Sequence, residues 1–178
     1  MKRELLNKQD IARVLLRIAH EIAERNKGCE GLCLVGIQRG GVDLAGRLAE
    51  AIKNIENTVV PVAAIDISFY RDDLNIKKTH PIVKKTEMPF DINDKKIVLV
   101  DDVIYTGRSI RAALDALMDF GRPAQVQLAV LIDRGHRELP IRPDYVGKNI
   151  PTSKTEQIKV LLIERGHDKD AVVIQRVE

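Results

Sequence analysis

Two adjacent carboxylates at the end of an apolar run are the first residues here whose chemistry can be argued. The run is Ile97-Val98-Leu99-Val100-Asp101-Asp102-Val103-Ile104-Tyr105-Thr106-Gly107-Arg108-Ser109. Its apolar start reads as a buried strand, and a helix is expected from Gly107 to Gly121. A helix N-terminus offers free N–H groups and the positive end of the helix dipole to an anion. Thr106 and Ser109 add hydroxyls, and Gly107 lets a ligand approach the backbone. That end of the turn suits one phosphate. Asp101 and Asp102 repel a phosphate but suit two vicinal ribose hydroxyls or a hydrated Mg²⁺. A sugar phosphate would span both ends. An acidic turn before a capped helix is the bland alternative, since Ser, Thr and Asp are common there.

A second turn, Gly36-Ile37-Gln38-Arg39-Gly40-Gly41, follows the apolar run Leu32 to Ile37. Its glycines expose backbone N–H groups, and Arg39 is a bidentate cation for an oxyanion. Taken alone it is as often only a tight connection. A third segment, Ser68-Phe69-Tyr70-Arg71-Asp72-Asp73-Leu74, opens a charged stretch to Asp91 that is broken by Pro81 and Pro89. Such a long loop in a compact domain is usually functional or mobile.

The elements that must hold these turns alternate in type. Ile11, Val14, Leu15, Ile18, Ala19 and Ile22 recur at helical spacing behind Asn7-x-x-Asp10, a start signal, with Gly28 as a stop. Strands are expected over Leu32 to Ile37, Val59 to Ile67, Ile97 to Val100 and Gln125 to Ile132. A second helix is expected from Val42 to Asn54. Arg134 to Lys154, with Pro140, Pro143 and Pro151, reads as irregular, and Ile158 to Ile163 and Ala171 to Val177 as closing strands. The alternation argues for an α/β fold with a central parallel sheet flanked by helices, and residues 1–178 read as a single domain.

Composition excludes several classes. The chain has 178 residues, 44% hydrophobic and 31% charged, which suits an ordinary globular protein. No apolar stretch reaches membrane-span length, and the start lacks the apolar core of a signal peptide, so a cytoplasmic protein is expected. Cys29 and Cys33 are too few for a metal cluster and read as free thiols. Aromatic residues are 3% with no Trp, which argues against a platform of stacked rings for bases. Net charge is +3, and the Arg134–Lys154 stretch, with five cations against two acids, carries an equal excess. No histidine shows metal spacing: His20, His80, His136 and His167 lie far apart.

The Asp101–Ser109 run resembles the phosphoribosyl pyrophosphate (PRPP) signature of the type I phosphoribosyltransferases. The resemblance implies a sheet flanked by helices, a small hood over the base and a loop, about 68–91, that closes over PRPP. It implies that Asp101 and Asp102 hold the ribose hydroxyls and Mg²⁺, and that Thr106 to Ser109 hold the 5-phosphate. The turn at Gln38, Arg39 and Gly40 resembles the family's pyrophosphate loop, and Arg71 is the expected closing cation. The implied catalytic set is Asp101, Asp102, Arg39 and Arg71. The PRPP and UMP set adds Gln38, Gly40, Val103, Tyr105, Thr106, Gly107, Arg108 and Ser109.

Purine-salvage relatives usually carry Asp where Tyr105 stands and Lys where Asp133 stands. Both departures point to a pyrimidine, with Ile132, Asp133 and Arg134 around the base. Asp133 to Ser153, together with Glu24-Arg25-Asn26-Lys27-Gly28, is similar to the bifunctional pyrimidine regulators that are also uracil phosphoribosyltransferases. That likeness covers about residues 8–155. It implies UMP-dependent binding of pyrimidine (pyr) operon leader RNA, favouring transcription termination, by Arg25, His136, Arg137, Arg142, Lys148 and Thr152 on one face. It also implies a homodimer or larger homo-oligomer. Two readings stay beside it: a regulator with vestigial catalysis, and a hypoxanthine or guanine transferase with no RNA role.

Overall fold

The computed structural model describes residues 2–72 and 85–176. The chain runs β1 (Lys2–Asn7), α1 (Lys8–Arg25), β2 (Leu32–Ile37), α2 (Gly40–Glu56), β3 (Val62–Ile65), β4 (Lys96–Ile104), α3 (Arg108–Met118), β5 (Gln125–Asp133), β6 (Tyr145–Asn149), β7 (Glu156–Leu161) and β8 (Ala171–Arg176). Five parallel strands form a sheet in the order β3-β2-β4-β5-β6, and β1-β8-β7 form a separate antiparallel sheet.

The expected parallel sheet is present, and its apolar runs have a physical cause. Both faces are covered, so successive side chains on either side must be apolar. Leu34, Val98, Val100 and Ala129 pack with α1 and α2, whereas Val35, Ile97, Leu99 and Val130 pack with α3. The start of α1 follows the expected signal. Asn7 caps it by accepting from the Asp10 backbone N–H, and the Asp10 carboxylate accepts from the Asn7 N–H in return.

Four differences from the sequence expectation matter for the site. First, β4 does not stop at Val100 but continues through Asp101 and Asp102 to Ile104, because Asp101, Val103 and Ile104 pair with Val130, Ile132 and Asp133 of β5. Second, the stretch read as irregular contains β6, a short edge strand between Pro143 and Pro151 that pairs with β5. Third, the first residues form β1, which pairs with β8 at the far end of the chain. Fourth, the closing strands join β1 in the small second sheet, called the hood sheet below. The centre of the long loop, residues 73–84 with His80 and Pro81, lies outside the described residues, as does the expected strand end at Val177. The loop's described flanks form a 3-10 turn, Ser68–Tyr70, and a bridge from Glu87 to Ala64.

Candidate functional site

The chain leaves β2 for β3 on one side of the sheet and later places β4 on the other. Beyond the carboxyl ends of β2 and β4 lies the kind of crevice where open α/β sheets bind ligands. Both sequence turns end there, and glycine brings them together. A Cβ on Gly40 would sit 2.1 Å from Asp102 Oδ2, and one on Gly41 1.8 Å from the Val100 carbonyl oxygen. The glycines therefore seat the first turn of α2 directly on the acidic end of β4. The Gln38–Arg39 peptide is cis. Arg39 is exposed and gives α2 no side-chain cap, so the helix's first N–H groups have no side-chain acceptor from it.

The two acids are not equivalent. Asp101 is buried, 8% exposed. Burial first, and then the charge of Asp102, push its carboxyl well above the ordinary Asp range. Its Oδ1 accepts from the Asp102 N–H at 2.9 Å. Asp102 is more open and accepts from the Val103 N–H at 2.8 Å. Among the described residues no three His, Cys, Asp or Glu side chains gather as a metal cage. A pair of carboxylates nonetheless suits Mg²⁺, which keeps waters and takes its other ligands from substrate oxygens.

The turn expected to take the phosphate includes Gly107, whose φ of 93° is the left-handed conformation that glycine takes without strain. Gly107 starts α3 with no side-chain cap. The Thr106 hydroxyl accepts from the Arg108 N–H at 3.3 Å, and its carbonyl holds the backbones of Glu138 and Leu139. A cleft of about 360 Å³ is lined by Asp101, Val103, Tyr105, Thr106, Gly107, Ser109 and Arg71 among others. The Arg71 guanidinium donates to Ser109 Oγ at 3.1 Å, so it stands at the phosphate turn rather than at Arg39. Arg108 turns its side chain to Asp72 and Glu138, leaving only its backbone toward the turn.

A neighbouring cavity of about 420 Å³ opens between the end of β5 and the start of the hood sheet. Asp133, Arg134, His136, Arg137 and Thr152 line it. Arg134 is nearly buried. Its guanidinium lies 4.1 Å over the Tyr105 ring and donates to Thr152 Oγ1 and to the carbonyls of Ser153 and Glu156. Arg137 donates to Asp133 and to the Tyr105 carbonyl, both at 2.7 Å. Ile132 does not line the cavity: its side chain is in the core and its backbone lies in the ladder between β4 and β6.

The six expected RNA contacts have different local surroundings. His136, Arg137 and Thr152 belong to the cavity beside Tyr105. Arg25, at the end of α1, pairs at 2.8 Å with Asp144, which precedes β6, whereas the cavity borders the far end of that strand. Lys148 is exposed on β6, which α1 packs against, and Arg142 is exposed in the segment before it. On α1, Arg13 pairs with Asp10, and Arg17 pairs with Glu21 and donates to the Gly147 carbonyl at 2.6 Å, tying the helix to β6. Sequence reasoning missed Glu164 and Arg165, which line a third cavity with Gln38, Arg39, Val42 and Asp43. No local motif marks those two. Cys33 is buried and Cys29 partly so, and both are free thiols.

Fold and site together are those of a phosphoribosyl transferase, and the phosphoribosyl transferase domain family matches residues 2–162. Solved structures agree on the fold. A hypoxanthine phosphoribosyl transferase of Trypanosoma cruzi superposes with a TM-score of 0.74 at 21% identity, covering 98% of this chain and 91% of its own. A hypoxanthine-guanine phosphoribosyltransferase of Bacillus anthracis gives 0.66 at 20% identity, covering 84% of each chain. Sequence relatives are nearer. A protein of Caldicellulosiruptor bescii is 58% identical over 173 residues, 97% of this chain and 95% of its own. One of Acetivibrio thermocellus is 62% identical over 163 residues, 92% and 89%. Both are named Bifunctional protein PyrR. The chain belongs to the phosphoribosyl transferase family and, within it, to the bifunctional PyrR proteins.

Proposed function

We propose that the protein transfers the phosphoribosyl group of PRPP to uracil, giving UMP and pyrophosphate, and that with UMP bound it grips pyr operon leader RNA and favours termination. One observation carries the transferase half. Asp101 and the Thr106–Ser109 turn line a single cleft, so a carboxylate and an uncapped helix N-terminus face one ligand. A ribose 5-phosphate needs both.

The residues divide the work by charge. The phosphate lies on the N–H groups and hydroxyls of the turn. Asp101, which borders the cleft, and Asp102, the more open carboxylate, take the ribose hydroxyls, and Asp102 favours the positive charge that grows on the sugar ring. The base nitrogen bonds to the anomeric carbon as the bond to pyrophosphate oxygen breaks, and the base gives up one proton. Arg39 and the first N–H groups of α2 meet the leaving pyrophosphate. Mg²⁺, when held by Asp101 and Asp102, neutralises pyrophosphate charge, and such a cation also favours the ionised form of Asp101. The Tyr105–Arg134–Asp133–Arg137 group stands where the base edge would lie. Its ring and paired ions occupy the positions where purine enzymes of the family place Asp and Lys.

Labelled PRPP with uracil or with hypoxanthine tests the acceptor, and a gel shift of pyrimidine leader RNA with and without UMP tests the regulator. Transfer to uracil alone and a UMP-dependent shift are expected. Transfer to hypoxanthine with no shift would leave a purine transferase instead.

A further inference from the structure

Resting on the transferase reading, we propose that Arg165, carried by the hood sheet, is a second cation for the leaving pyrophosphate and holds Asp102 until the donor arrives. Arg165 sits at the end of the 3-10 turn Ile163–Arg165, between β7 and β8. Its guanidinium reaches out of the hood to the core. Nε donates to Asp43 Oδ2 at 2.8 Å, and Nη1 lies 3.6 Å from Asp102 Oδ2. Nη2 is buried and has no hydrogen-bond partner, the one such side-chain atom among the described residues. A buried charged donor without an acceptor is costly, so it calls for a partner from outside the chain.

The surroundings specify that partner. Arg165 lines a cavity of about 360 Å³ with Gln38, Arg39, Val42, Asp43 and Glu164. Of its acids, Asp43 is taken by Arg165 and Glu164 by Arg47, in two bonds of 2.7 and 2.6 Å. Arg39 makes no ion pair among the described residues, and the uncapped start of α2 adds its N–H groups. The lining charges balance, Arg39 and Arg165 against Asp43 and Glu164, but both acids are already paired, so the unpaired Arg39 and the unused Nη2 of Arg165 are what the hollow beside the acids of β4 offers to a ligand. A guanidinium with Nη2 unused and Nη1 only loosely paired is suited to two oxygens of a diphosphate. An oxyanion that takes both Nη atoms draws Nη1 off Asp102 and leaves that carboxylate to the ribose. Binding of the leaving group and release of the acid are then one movement.

Calorimetry separates this role from a structural one, because UMP has the phosphate and the base but no pyrophosphate. Arg165→Gln and Arg165→Lys are compared with the intact protein for binding of magnesium pyrophosphate and of UMP, with the KM for PRPP read alongside. We expect pyrophosphate binding and the KM for PRPP to worsen at least tenfold in Arg165→Gln and less in Arg165→Lys, while UMP affinity stays within twofold. Pyrophosphate affinity within twofold of the intact protein in a folded variant overturns the proposal, as does a parallel loss of UMP affinity. If Arg165→Gln does not fold, Arg165→Lys decides by the same criterion. An intact protein that binds neither pyrophosphate nor UMP overturns the transferase reading itself, and this proposal with it.

Discussion

Asp101 and Asp102 are neighbours in sequence, yet the fold gives them opposite characters. Successive residues of a strand point to opposite faces, so the more buried Asp101 borders the cleft of the Thr106–Ser109 turn while Asp102 faces the α2 turn and Arg165. Burial and its neighbour's charge push Asp101 toward the protonated form, whereas Asp102 meets solvent, Arg165 and the α2 turn. Asp102 is therefore the better placed to meet a growing positive charge. Replacing Asp102 by Asn, or Arg39 by Ala, should each cost about 3 kcal/mol of transition-state stabilisation, roughly a hundredfold in uracil transfer. Steady-state rates beside an unchanged thermal unfolding curve check this, and near-normal rates in either variant would refute the roles assigned.

At the level of elements, the question is what holds the hood to the core. Arg47 on α2 reaches both Glu164 and Asp170, and Asp170 is only 3% exposed. Its carboxylate also accepts from the Ile163 N–H, so one buried acid ties the turn before β8 to α2. The Arg47 guanidinium holds the carboxyls of both acids below their ordinary values. A lowered folded value means that the stabilisation is present above the ordinary value and lost as pH falls through the lowered one. Arg47→Met strands the buried Asp170 charge and should destabilise the protein by about 3 kcal/mol at neutral pH. Urea unfolding should show that gap narrowing as pH drops below the ordinary values of 4.5 for Glu and 3.8 for Asp. A gap that does not change with pH would mean that Arg47 acts by packing alone.

Over the whole molecule, the transfer site and the basic surface are joined through β5, β6 and the segment between them. Arg134 links the Tyr105 ring to the start of β7, and Asp144, just before β6, pairs with Arg25 on α1. A ligand beside Tyr105 thus touches the same segment that carries Arg142 and leads into Lys148. RNA bound there, as proposed, would owe much of its affinity to phosphate contacts and so weaken with salt. Arg142→Gln should weaken leader-RNA binding and its salt dependence while sparing uracil transfer. Equal loss of both would place Arg142 in the transfer pocket. If UMP favours RNA binding, RNA must tighten UMP by the same factor, which titration of UMP at saturating RNA measures.

What sequence alone determined is what a few neighbouring residues can encode. The cap at Asn7, the boundaries of β2, the Asp101–Ser109 run and the glycine turn at Gln38–Gly41 are legible because capping, strand alternation and turn chemistry act over a handful of positions. Tertiary structure decided the rest. β1 pairs with β8 across nearly the whole chain, and β6 is a strand only because β5 offers it an edge between two prolines. Asp101 and Asp102 look alike until the sheet buries one. Arg165 carries no local signal at all. It becomes part of the site when Arg47 docks the hood, since a charge finds its partners by distance in space and not by distance along the chain.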